Sequence, residues 1–305
     1  MTTFHVHVYP REVVTWQKFQ YHCKNAIALD GYVAGGPDWD SQRKLVNFDH
    51  HDGVVREATM STAKQVYFAI KSGFCSWVGS DCDVYVNDID QDTAMAIWLL
   101  RNHHLFEGAA SIPAISRILE LNDRLDITGG AFPMSLSDFT YGLHCWVFAP
   151  YTEARKSGLV ARATASDMNT ILDACCDRLT RLLLNEGKQQ LPDVDVKVLA
   201  TGAVTVLDET EGGIESRHLA FAQSLIPGVY LSLIARRDDG RYVYTLGKRS
   251  RYVDFDMRAA YAKLNAAEGF TVPRGWGGSD LIGGSDRATG SGLDWETVVE
   301  LLLTS

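Results

Sequence analysis

The tripeptide Asp49-His50-His51 places a carboxylate and two imidazoles on one turn, directly after the apolar run Lys44-Leu45-Val46-Asn47-Phe48. Neutral imidazole nitrogens suit Mn, Fe, Co or Zn, and a neighbouring carboxylate either ligates or fixes the imidazole tautomer. The alternative is a capped surface turn, with Asp49 or Asp52 as N-cap and both histidines solvated. A second concentration, Asp88-Ile89-Asp90-Gln91-Asp92, follows Val84-Tyr85-Val86 and precedes the apolar segment Thr93–Leu100. Like charges crowded in this way are unfavourable without a cation. An EF-hand calcium loop is excluded, because its required Gly and Glu positions hold Thr93 and Leu99. Helix capping accounts for one or two of the aspartates but not for all of Asp88, Asp90 and Asp92.

The elements that must position these groups are short apolar runs ending in Asp, His or Gly. Ala26–Leu29 runs into Asp30-Gly31, Lys44–Phe48 into Asp49–Gly53, and Val84–Val86 into Asn87-Asp88. Residues 59–72 and 93–105 have helical spacing, as do 112–126 and 166–186. Strand, polar loop and helix in repetition predict an α/β fold with a parallel sheet, whose ligands bind at the carboxyl ends of its strands. The polar stretch Asn185–Asp195 predicts a boundary between a domain over 1–188 and a smaller α/β domain over 195–305. In the latter, a strand is expected over 196–207 and a helix over 215–225. Paired strands over 229–235 and 242–246 flank the turn Asp238-Asp239-Gly240. A helix over 257–267, a Gly-rich loop over 275–292 and a helix from Asp294 follow.

Composition narrows the partners. The chain has 305 residues, 29 Lys+Arg against 38 Asp+Glu, and a formal charge of −9. With 46% hydrophobic and 22% charged residues it excludes collagen, disorder and a disulfide scaffold. The acidity argues against long duplex nucleic acid as partner, which needs clustered Lys and Arg; a small phosphorylated ligand needs only a local patch or a metal. The scattered cysteines (Cys23, Cys75, Cys82, Cys145, Cys175, Cys176) read as reduced thiols. No signal-like start and no membrane-length apolar run is visible, so the expectation is a cytoplasmic protein with no membrane partner.

Phe48-Asp49-His50-His51, followed by Thr59-Met60-Ser61-Thr62-Ala63 at a helix start, resembles the DHH phosphoesterase superfamily. That family includes RecJ-type exonucleases, small-oligonucleotide and cyclic-dinucleotide phosphodiesterases and manganese pyrophosphatases. The resemblance implies a hydrolase with one or two divalent metals, typically Mn2+, with Mg2+ or Co2+ as alternatives. Asp30 looks like the family's second motif, Asp88, Asp90 and Asp92 like its first, and Asp123 or Asp126 like its fourth aspartate. In the family the D-x-D motif precedes the triplet, whereas here it follows. The strands are therefore permuted, or Asp88–Asp92 takes the fourth-motif place and the first motif is degenerate.

The resemblance implies Asp30, Asp49, His50, Asp88, Asp90, Asp92 and Asp126 as metal ligands, and His51 with Asp49 as the catalytic pair. Gly277-Gly278-Ser279 and Gly283-Gly284-Ser285, with Arg287, look like a variant of the family's phosphate-gripping Gly-rich segment, though the usual His is absent. Their backbone N–H groups could approach an anion closely. Arg249, in the basic cluster Lys248–Arg251, either faces the same cleft or is a solvated edge charge. The implied substrate is a nucleotide or short oligonucleotide, and the resemblance leaves room for a homodimer. A catalytically weak nucleotide-binding module on the same fold is the alternative. His5 and His7 share a strand face and could supply a missing ligand. His103-His104 fits a helix end, and His144 reads as core.

Overall fold

Apolar runs that end in polar residues form the predicted strands, and these assemble into separate sheets in the two halves of the chain. The computed structural model describes residues 2–271 and 275–304. The N-terminal half begins with β1 (Thr3–Val8), β2 (Val14–Thr15), α1 (Trp16–His22), β3 (Ala26–Leu29), β4 (Val33–Ala34), β5 (Asp38–Asp40) and β6 (Leu45–Phe48). It continues with α2 (Thr62–Lys71), α3 (Phe74–Val78), β7 (Asp81–Val86) and α4 (Gln91–Arg101). Helices α5 (Pro113–Ile127), α6 (Phe139–Lys156), α7 (Leu159–Arg162) and α8 (Ala165–Leu183) complete it.

Its main sheet has the order β1-β7-β3-β6-β5, parallel except for β5, which pairs antiparallel with β6. Every residue of β3 is buried, as expected of a central parallel strand covered on both faces. Ile27 and Leu29 join one core with Val84, Val86 and the helices, while Ala26 and Ala28 face Phe19 and Tyr32 on the other side. This alternation is the period of two along a strand. Helix α4 is buried from Asp92 to Leu100 and so sits inside the helical layer. Each of Met95, Ile97, Leu99 and Leu100 contributes about 1.5–3 kcal/mol by leaving water.

The C-terminal half runs β8 (Lys197–Ala200), β9 (Val204–Asp208), α9 (Ile214–Ala222), β10 (Val229–Arg236), β11 (Tyr242–Lys248), α10 (Met257–Glu268), β12 (Gly277–Gly278), β13 (Ile282–Gly284) and α11 (Trp295–Leu303). Its sheet, β12-β13-β11-β10-β9-β8, is antiparallel except for the parallel β9–β10 pair. Helices α10 and α11 cover one face. The other face, with Leu207, Phe221 and Tyr230, packs against Ala131 of the N-terminal half. The halves are also joined by polar contacts. Arg217 is paired with Glu209 at 2.7 Å and donates to the Gly129 carbonyl at 3.3 Å. The Tyr141 hydroxyl meets His218 Nδ1 at 3.0 Å.

The α/β class read from the sequence is the class of the structure, with local differences. The single strand expected over 196–207 is two antiparallel strands, β8 and β9, broken around Gly202. Helix α6 has no counterpart in the sequence reading. Most of it is buried, including Tyr141–His144 and Trp146–Ala149, so it shows no polar face for a helical period to reveal. Part of the Gly-rich loop expected over 275–292 is strand, β12 and β13.

Candidate metal centre and cleft

Strand β7 lies between β1 and β3, so the turns that follow β3, β6 and β7 leave neighbouring strands on one edge of the sheet. Asp30, His50, His51 and Asp92 therefore converge although they come from three separate turns of the chain. Asp30 is buried and has a left-handed backbone, φ +53°. That conformation costs a non-glycine residue about 1–3 kcal/mol and is concentrated at functional sites. Asp30 Oδ1 accepts from the Thr62 hydroxyl at 2.9 Å and Oδ2 from the Thr93 hydroxyl at 3.0 Å. These threonines stand at the starts of α2 and α4. Burial works against the Asp30 charge, but His51, His50 and the Thr62 hydrogen bond outweigh it and hold its pKa below the usual carboxylate range.

At this edge two groups of ligand atoms, each within 4.8 Å, could hold a metal ion, and both contain His50: Asp30, His50 and His51, and His50, Asp92 and Asp126. His50 is fully buried. Its Nε2 lies 2.8 Å from Asp126 Oδ2 and 3.6 Å from Asp30 Oδ1. Among the described residues neither ring nitrogen has a partner in hydrogen-bond geometry, nor has Asp126 Oδ2, although His50 and Asp126 form an ion pair. Buried polar atoms left unpaired cost about 1–3 kcal/mol each. A cation among these oxygens and nitrogens removes that cost, so the residues fit a divalent ion. Burial alone would lower the His50 pKa, but Asp126 and Asp30 raise it to about 10. Burial, together with the neighbouring carboxylates, raises the pKa of Asp92 well above normal.

Asp92 is aimed by a chain of buried groups. Its Oδ1 accepts from Asn122 Nδ2 at 2.7 Å, and Asn122 Oδ1 meets His144 Nε2 at 3.1 Å. Burial pushes the His144 pKa down to about 3, so the ring is neutral and donates to Asn122 from Nε2. The other oxygen of Asp92 accepts from the Ala63 backbone N–H at 3.1 Å.

Asp49 has a different task from the ligand role implied by resemblance. Its carboxylate accepts from the backbone N–H groups of His50 (2.6 Å), His51 (2.9 Å) and Gly31 (3.1 Å). It also meets His51 Nδ1 at 2.8 Å. Asp49 thus pins the turn and sets the His51 tautomer, and it belongs to neither metal-holding group. His51 itself is 42% exposed and lines the cleft.

Asp90 caps α4 through the Thr93 N–H at 3.0 Å and lines the cleft, while Asp88 pairs with Arg287 at 3.2 Å; neither joins a metal-holding group. Of the two fourth-motif candidates, Asp126 faces His50, whereas Asp123 is bound by Lys64 at 2.8 Å and by the Ser61 N–H. His5 and His7 pair with Asp81 and Asp83 on β1 and β7, away from this edge.

Across from the aspartates lies the C-terminal half. The cleft between them encloses about 440 Å3 and is bordered by Arg56, Arg155 and Lys156 on one side and by Arg287 and Gly277–Gly284 on the other. That volume suits a small ligand. Arg249 is exposed and outside the cleft border, which fits the solvated edge charge of its two readings and not the substrate-binding one. The Gly-rich segment is a tightly packed sheet edge rather than an open loop. A Cβ on Gly284 would lie 2.1 Å from the Tyr244 carbonyl oxygen, and one on Gly283 would lie 2.1 Å from that of Gly277. A Cβ on Gly278 would meet Gly283 Cα at 2.3 Å. Ser279 and Ser285 are buried, and their hydroxyls accept backbone N–H groups of Ile282 and Tyr244, respectively.

Sequence reasoning missed Arg56, Thr62, Thr93 and Asn122. Arg56 is buried and donates to the Asp126 carbonyl at 3.0 Å and carboxylate at 3.3 Å, so it holds that aspartate in place. The threonines carry a faint signal, since each follows a strand end at a helix start; Arg56 and Asn122 carry none. No helix among the described residues is long and apolar enough to cross a membrane. No protein-family model, curated protein or solved structure matches the chain.

Proposed function

We propose that this chain is a divalent-metal-dependent phosphoesterase, a divergent relative of the DHH phosphoesterases, acting on a nucleotide or short oligonucleotide. The observation that carries this reading is the buried convergence of His50, Asp126 and Asp30 without hydrogen bonds to His50, at a strand-end cleft with Arg56, Arg155 and Arg287 on its border. Asp30, His50, Asp92 and Asp126 would hold the ion. Imidazole and carboxylate donors suit Mn2+, with Mg2+ or Co2+ as alternatives. When bound, such an ion lowers the pKa of its water and polarises phosphoryl oxygens.

The remaining chemistry belongs to the chain. His51 donates Nδ1–H to Asp49, which leaves the Nε2 lone pair to take a proton from the attacking water and then pass it to the leaving oxygen. Arg155 and Arg287 counter the charge of further phosphates across the cleft. A phosphoryl transition state needs mostly positioning and charge neutralisation, and this arrangement supplies both.

A non-hydrolytic nucleotide-binding module is the second reading. It is favoured by Asp88 and Asp90 standing outside both metal-holding groups, which leaves fewer ligands than the family's motifs imply. Turnover separates the two. With Mn2+, hydrolysis of bis(p-nitrophenyl) phosphate or of dinucleotides that His51→Ala abolishes supports the enzyme. Nucleotide binding without turnover supports the module, and turnover only of non-phosphate esters contradicts both.

A further inference from the structure

At the opposite edge of the N-terminal sheet, where β1 and β7 begin, Cys75, His103 and Glu107 bring a sulfur, a nitrogen and an oxygen within 4.8 Å of one another. They border an open groove of about 600 Å3 that Thr2, Ser80 and His104 also line. Cys75 belongs to α3, whereas His103 and Glu107 lie on the turn that follows α4, so the fold rather than the local sequence assembles them.

The hydrogen bonds of His103 show what the cluster needs. The ring is buried, and its Nε2 lies 3.3 Å from the Thr2 carbonyl oxygen. A carbonyl only accepts, so a hydrogen bond there places a proton on Nε2. In the neutral ring Nδ1 is then a bare lone pair, yet it stands 2.6 Å from Glu107 Oε1. With Nε2–H on the carbonyl, two acceptors at that separation need a cation or a second ring proton between them, whereas the other tautomer serves Glu107 and leaves Nε2 facing the carbonyl without a hydrogen bond. An imidazole whose far N–H is anchored on a backbone carbonyl is also the usual arrangement of a metal-ligating histidine.

We propose that Cys75, His103 and Glu107 form a second metal site, for a zinc-class cation bound through thiolate, imidazole and carboxylate, with an open coordination position facing the groove. The sulfur donor sets this site apart from the oxygen-and-nitrogen centre at the cleft, and selects Zn2+ or Co2+ over Mg2+ or Mn2+. On binding, the thiol proton is released to solvent. The ion ties α3 and the turn after α4 to the start of β1, where the Thr2 hydroxyl already donates to the carbonyls of Cys75 (3.1 Å) and Gly79 (2.7 Å). The inference is independent of the reading of the cleft.

Co2+ titration of the metal-free full-length protein, followed by absorption spectroscopy, tests it. A near-ultraviolet thiolate-to-Co2+ charge-transfer band is expected, present in wild type and in His50→Ala and absent in Cys75→Ser. Glu107 is exposed, so Glu107→Gln should leave the fold intact and weaken Co2+ affinity at this band by about tenfold or more. No band in wild type would mean that His103 and Glu107 form only a hydrogen-bonded pair, and would overturn the proposal. A band that survives Cys75→Ser, or an affinity unchanged in Glu107→Gln, would overturn it equally.

Discussion

His50 Nε2 stands 2.8 Å from Asp126 Oδ2, yet neither atom makes a hydrogen bond. Both atoms are buried and form an ion pair that lacks hydrogen-bond geometry, an arrangement that a divalent cation shared by ring and carboxylate would satisfy. Mn2+ at a hundredfold excess over its dissociation constant is therefore expected to stabilise the fold by about 2.7 kcal/mol. The rise in melting temperature should vanish in His50→Ala. A melting temperature that Mn2+ leaves unchanged in the wild type would contradict this.

Asn122 reaches the centre only through Asp92, which makes it a positioning residue. Replacing it by alanine frees the Asp92 carboxylate and is predicted to weaken Mn2+ binding about 10–100-fold, as loss of a ligand's supporting partner does elsewhere. Isothermal titration reads the affinity. Asn122→Asp would worsen the loss by adding a like charge beside Asp92.

The glycines at the sheet edge should divide sharply. Gly284→Ala places a Cβ 2.1 Å from the Tyr244 carbonyl oxygen, whereas a Cβ on Gly277 meets nothing within 4 Å. Overpacking of this kind costs about 1–3 kcal/mol. Urea unfolding should show that loss for Gly284→Ala and close to none for Gly277→Ala. Equal losses would mean that the segment is not held as a packed edge.

His144 and His218 give the fold an acid limit. Burial pushes the pKa of each to about 3; for His218 the charges of His144 and Arg217 add to the effect. A pKa below the unfolded value near 6.5 means that the neutral ring is stabilised by folding. That stability is fully present above about pH 6.5 and is lost as pH falls toward 3. Between about pH 7 and pH 5 each histidine should account for roughly 2 kcal/mol of the loss. Urea unfolding of His144→Gln at both pH values should show a correspondingly smaller difference than wild type.

Much of the centre was legible because it is local. Asp30, Asp49–His51 and Asp88–Asp92 each sit where an apolar strand ends, and an apolar run ending in a carboxylate is visible in the sequence. The convergence of Asp88–Asp92 with the other two turns depended on β7 inserting between β1 and β3, which nothing local encodes. The same holds for Arg56 and Asn122, whose partners lie 70 and 30 residues away. Composition cannot tell a ligand from a carboxylate held by backbone N–H groups, as Asp49 is, or by an arginine, as Asp88 is. In the C-terminal half, Gly-Gly-Ser read as a flexible anion cradle, but the glycines serve close strand contact.

The most direct test of the central claim is Mn2+ binding by electron paramagnetic resonance, which follows loss of the free-ion signal as protein is added. Wild type is predicted to bind Mn2+ tightly, with binding lost in His50→Ala and in Asp126→Ala but retained in Asp88→Asn. Wild-type binding no tighter than that of His50→Ala would contradict the assignment of Asp30, His50, Asp92 and Asp126 as the metal centre.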